Sequence, residues 1–164
     1  MTYTAYVILL LATTSAFAQS SDGFSLSNDP EYRTAIGMRI LFDGPTPSFG
    51  VKHFFNPTSA LEGAILLPED AFAIEGLYEY QQAFAGAKGF YWYGGAGLLL
   101  LFPDNETGDS DAYFGLPFVI GLEYKITGAP IVIGFDWQPL IWLSDVEDRF
   151  NAKQVGLTVR LAFK

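Results

Sequence analysis

Cysteine is absent from this chain. That excludes a disulfide framework and any thiolate metal site. Charge is scarce as well, at 16% of residues against about 25% in soluble domains. What charge there is leans one way, with 18 acids, 9 cations and a net charge of −9. Such a balance repels a phosphate backbone, so no nucleic-acid partner is expected. Histidine occurs once, at His53, which leaves little material for metal or nucleophilic chemistry, and no cofactor is expected. Long hydrophobic runs are missing too: after the first dozen residues nothing approaches the roughly 20 consecutive apolar residues of a membrane helix.

Yet the chain is oily. Half of it is hydrophobic, aromatics reach 16%, and mean hydropathy is +0.23. Apolar residues that abundant, and nowhere continuous, have to be distributed in alternation. The clearest case is the last stretch, where Val155, Leu157, Val159, Leu161 and Phe163 alternate with Gly156, Thr158, Arg160 and Ala162. Period two means a strand with one apolar and one mixed face.

The same grammar recurs upstream. Predicted strands run over 33–42, 49–55, 60–67, 72–81, 92–102, 114–124, 131–138 and 155–163, separated by Pro, Gly, Asn and Asp clusters. Pro117 falls inside the sixth, so a bulge or a late strand start is expected there. The stretch 139–150 reads as the last loop. Before the strands, Tyr6 to Ala12 is an apolar core too short to span, and Ala16-Phe17-Ala18 is an A-x-A cleavage site. Residues 1–18 therefore read as a signal peptide, 19–30 as a polar periplasmic leader, and 31–164 as the domain.

The fold class that follows is all-β, an eight-stranded antiparallel up-and-down transmembrane β-barrel. Which row faces out is decided by the charges. The mixed row is mostly Gly and Ala, with Arg33, Arg39, Lys52, Glu62, Glu75, Glu79, Glu123, Asp136 and Arg160 spaced among them. These are too few for a solvated exterior and suit a narrow lumen, where cations and acids can pair. An Arg turned to lipid would cost about 2 to 4 kcal/mol near the midplane. With that register, Phe42, Phe49, Phe72, Phe102, Phe114 and Trp137 form one outward aromatic ring, and Phe55, Tyr80, Trp92, Tyr124 and Phe163 the other.

Sidedness follows from the connections. With the termini in the periplasm, the loops at 43–48, 68–71, 103–111 and 139–150 face outside and carry 10 of the 18 acids. Asp104, Glu106, Asp109 and Asp111 lie in one of them and Trp142 in another, and these are the candidate outer contacts. The acidic loop could share divalent cations with lipopolysaccharide, but it lacks the spacing of an EF-hand, so no metal site is expected. Leu140 to Leu143 is an apolar patch that either meets a partner, extends the last hairpin or folds over the mouth.

The closing Val155 to Phe163 strand and the Trp92-Tyr-Gly-Gly-Ala-Gly97 strand resemble those of the small OmpA/OmpX-type outer-membrane barrels. The resemblance implies a monomeric, mostly filled barrel in the Gram-negative outer membrane, delivered by the barrel assembly machinery and surrounded by lipid and lipopolysaccharide. Roles in that class run from envelope maintenance to surface adhesion. Three functions stay open: a non-enzymatic envelope protein with a plugged polar interior, a narrow porin-like channel for small or hydrophobic solutes, and a lipid-modifying enzyme. The last fares worst. His53 sits on the apolar row near the Asn56-Pro57 turn, away from the outer leaflet, and Glu75 and Glu79 are about 13 Å apart along a strand at about 3.3 Å per residue, too far for a retaining carboxylate pair.

Overall fold

The computed structural model describes residues 31–104, 112–144 and 148–164. The predicted signal peptide and leader, and the loop acids Glu106, Asp109 and Asp111, lie outside the described residues.

Among the described residues ten strands make the sheet: β1 (Thr34–Leu41), β2 (Thr46–Phe54), β3 (Ser59–Leu66), β4 (Ala71–Ala83), β5 (Phe90–Pro103), β6 (Tyr113–Lys125), β7 (Ile131–Trp137), β8 (Leu140–Trp142), β9 (Phe150–Asn151) and β10 (Val155–Phe163). All pairings are antiparallel, and besides neighbours in sequence β1 closes on β10, β7 pairs with β10 and β6 pairs with β8. The circuit is therefore a closed barrel without free edges.

Its walls number eight, because two of them are interrupted. β8 continues β7 against β6 in unbroken register, Ile120 opposing Trp137 and Pro117 opposing Leu140. β9 likewise leads into β10, but Leu140 opposes Asn151 while Trp137 opposes Val155. One extra residue is thus held between them, a bulge at 152–154. The indole of Trp137 pins it by donating to the Ala152 carbonyl at 2.6 Å. Within 139–150, read as the last loop, Leu140 to Trp142 carries the hairpin upward, which is one of the readings of the apolar patch at 140–143.

Pro117 produces neither of the expected disturbances. β6 starts at Tyr113, and its register with β5 is the same on either side of the proline, Ala96 opposing Phe118 and Leu99 opposing Gly115. The amide of Phe118 bonds Pro139 O on the β7–β8 side, so position 117 directs its missing donor toward β5. The cost is a gap in the ladder at Gly97 and Leu98.

Alternation assigns every wall the predicted face. Met38 is 46% exposed and Arg39 beside it 4%; Val159 is 50% exposed and Arg160 2%. Isoleucine, leucine, valine and phenylalanine cover the outside of all eight walls, with Phe72 stacked on Phe102 at 5.0 Å and Tyr80 beside Trp92 at 5.8 Å. Phe49 is outward as expected, but it opposes Met38 and Ile65 in mid-strand rather than closing a ring at a strand end.

Turn chemistry sits where the chain needs it. Asn56 Oδ1 accepts from the amides of Thr58 and Ser59, at 2.9 and 2.8 Å, between β2 and β3. Gly128, at φ 81°, supplies the left-handed residue between β6 and β7.

Candidate functional site

The lumen is layered. At the end that carries the first and last described residues, Tyr32, Ala35, Phe54, Ala60, Val132 and Ala162 pack into an apolar cluster. At the loop end Leu41, Ala64, Leu66, Ala73, Leu99 and Leu140 form another. Between the two lies a belt of buried charge.

Eight of the nine charged residues expected inside are there: Arg39, Lys52, Glu62, Glu75, Glu79, Glu123, Asp136 and Arg160, all 5% exposed or less. Arg33 is the correction. It is exposed, because β1 begins only at Thr34 and the alternation does not extend back to it. Tyr32 turns inward in its place and donates its phenol to Glu123.

The belt reads as a chain of contacts across the lumen. Gln138 donates to Glu75 and accepts from Arg39 NH1 at 2.9 Å. The Arg39 guanidinium also lies 3.6 Å from Glu75, 3.3 Å from Asp136 and 3.5 Å from Glu62. Glu62 is the bridge, since its two oxygens also accept from Arg160 NH2 at 2.7 and 2.6 Å. Arg160 approaches Glu123 at 3.6 Å, and Glu123 meets Lys52 at 3.3 Å. Lys52 Nζ in turn reaches Glu79 at 2.7 Å and Gln81 at 2.6 Å, with the Tyr93 ring 4.5 Å from it.

Why these side chains can converge is written in the small residues opposite them. Gly37 opposes Arg160, and a Cβ there would stand 2.1 Å from the Val159 carbonyl oxygen and 2.9 Å from Arg160 Cγ. Gly121 lies between Tyr93 and Asp136 in register. An interior of this strand number is just wide enough for its side chains. Bulk at those positions would displace the guanidinium and the phenol.

Formal charge in the belt is unequal, three cations against five carboxylates. Among the described residues Glu75 Oε1, both Glu79 oxygens and Asp136 Oδ1 are buried without a hydrogen-bond donor, and Arg39 NH2 and Arg160 NH1 without an acceptor. Separating charges of this kind from water costs several kcal/mol per ion, so the belt depends on its internal pairing.

Counting charges alone missed the neutral members. Gln81, Gln138, Tyr93 and Thr158 are as buried as the ions they touch, and all but Tyr93, whose strand β5 carries no ion, share the strand face of an ion already identified, Gln81 with Glu75 and Glu79, Gln138 with Asp136, Thr158 with Arg160. That parity was the available signal. Tyr32 had none, lying ahead of the first strand.

The other candidates are placed apart from the belt. His53 is outward and its Nδ1 lies 2.9 Å from Thr34 Oγ1 on the next strand. Asp104 is exposed at the loop end. Trp142, expected to be an outer contact, is partly buried against the loop-end apolar cluster and meets Tyr113 edge-on at 6.5 Å.

The sequence matches no protein-family model and no curated protein. Two solved structures share the architecture. The N-terminal β-barrel domain of Pseudomonas aeruginosa OprF is similar with a TM-score of 0.61 at 16% identity, over 80% of this chain and 96% of that one. Neisserial surface protein A is similar with a TM-score of 0.53 at 15% identity, over 80% and 95% respectively. At these identities the likeness is one of fold, and the fold is that of the small outer-membrane β-barrels.

Proposed function

We propose that the chain is a non-enzymatic protein of the Gram-negative outer membrane, a rigid plugged barrel that supports the envelope or meets surface partners through acidic outer loops. The observation that carries this reading is the sealed belt: ions 5% exposed or less, paired across the lumen and closed off at both ends by apolar clusters. Water and ions crossing such a barrel would have to break charge pairs in a low-dielectric interior.

The membrane setting rests on the outer surface. Large apolar side chains are exposed on every wall, far beyond the few hundred Å² of contiguous patch that soluble monomers tolerate. Lipid is the solvent that such a surface fits, and lipopolysaccharide the neighbour of the loop end. The barrel assembly machinery would insert it, as a monomer.

The experiment is fractionation with conductance. Expressed in a Gram-negative host, the protein is expected with the outer membrane and to shift mobility on boiling in SDS. Recovery from the soluble periplasm without a shift would overturn the assignment. Purified and inserted in planar bilayers it should be silent, and steady single-channel steps would refute the plug.

A second reading has one observation in its favour. The leftover carboxylate oxygens of Glu75, Glu79 and Asp136 would favour cations over anions if the belt opened. That channel would be cation-selective and change on Glu123→Gln.

A further inference from the structure

At the end that carries the first and last described residues, the barrel holds a cavity of about 990 Å³. Its charged lining is Arg33, Lys88, Lys125 and Lys164 against Glu31. These are four of the nine cations of a chain whose net charge is −9. Among the described residues none of the four is paired with a carboxylate. Lys125, buried, donates to the carbonyls of Ile126 and Ala129 at 3.1 and 2.7 Å, while Arg33, Lys88 and Lys164 are exposed. Even with a carboxylate counted on Lys164, the described lining of the basin is positive by two.

We propose that this basin binds the phosphate of an anionic phospholipid drawn from the leaflet on its own side of the membrane, an inference that rests on the membrane reading above. Charge selects an anion. Phosphate oxygens accept from the Arg33 fork and from the lysine ammonium groups, whereas the acid-rich opposite end repels them. The neighbours of the cations select a lipid over a soluble ion. Phe55 and Phe163 line the same basin and are each 49% exposed on the outward face. Lysine and arginine therefore stand beside aromatic rings at the rim, where a headgroup and the start of its acyl chains would lie together. A basin of this volume is within the range of small-molecule sites and accommodates a phosphodiester headgroup.

The test uses the full chain folded in a neutral detergent, with lipid retention read by native mass spectrometry. Phosphatidylglycerol is expected to be retained about tenfold over phosphatidylcholine of the same chain length. Arg33→Gln, Lys88→Gln and Lys164→Gln together should bring it down to the phosphatidylcholine level, while Lys153→Gln at the loop end changes nothing. Equal retention of the two lipids by the unaltered protein overturns the proposal without recourse to any variant, as does a triple variant that folds and still prefers phosphatidylglycerol. Displacement of the lipid by equimolar inorganic phosphate overturns it too, marking a site for soluble anions. An unboiled gel shift of the unaltered protein is the separate check: its absence condemns the membrane reading, and its presence with no lipid preference condemns this inference alone.

Discussion

The phenol of Tyr93 on β5 donates to the carboxylate of Asp136 on β7 at 2.8 Å, although β6 runs between the two strands. The residue it passes over is Gly121, which opposes both of them in register. A missing side chain therefore makes the contact, and one buried donor reaches an acceptor that already faces Arg39 at 3.3 Å. Contacts of this kind tie three walls together from the inside, where the backbone ladder ties them only pairwise.

Replacing Gly121 tests that geometry. A Cβ there would stand 2.6 Å from Tyr93 Cζ and 2.8 Å from Asp136 Cβ, so Gly121→Ala should destabilise the barrel by about 1–3 kcal/mol through overpacking. Gly76→Ala is the control, because a Cβ at that outward position meets nothing within 4 Å. Urea unfolding in lipid vesicles, followed by tryptophan fluorescence, should separate the two.

Glu62 faces both Arg39 and Arg160. Glu62→Gln leaves two buried guanidinium groups short of an anion, and a loss of about 3 kcal/mol is expected, the range for breaking a buried pair. Glu69→Gln, exposed at the loop end, should fall within about 0.5 kcal/mol of the parent. Equal midpoints for the two variants would mean that the belt contributes little.

Met38 opposes Phe49 and Val159 on the outward face in mid-strand. If lipid surrounds that face, Met38→Arg should cost about 2–4 kcal/mol in a bilayer, measurable as a lower urea midpoint in vesicles. In a water-facing wall the same change would be nearly neutral.

Trp137 anchors the bulge that separates β9 from β10 through its bond to Ala152 O. Trp137→Phe keeps the ring's apolar contact and removes the donor, so a loss of about 1 kcal/mol is expected. Faster hydrogen exchange should be confined to the amides flanking 152–154.

The face assignment was legible because it depends on parity. Once Arg39 and Arg160 are directed away from lipid, every second residue on their strands follows, and the register brings Lys52, Glu62, Glu75, Glu79, Glu123 and Asp136 inside with them. Arg33 failed because parity holds only within a strand, and β1 begins one residue later. The orientation of Trp142 was not legible for a different reason. A three-residue strand inside a loop leaves too short a pattern to read, and only its pairing with β6 and β9 sets which way the ring turns.

The amino-acid sequence by itself determined the class of fold and the two faces of each strand, because alternation is a local property that backbone geometry imposes on neighbouring residues. Which ions meet was decided by the closed barrel alone. Lys52 opposes Glu62 across the ladder yet extends over the lumen to Glu79 and Glu123. Glu62 is left to the two arginines, because closing the sheet makes residues from opposite walls near neighbours, a distance that no spacing along the chain records.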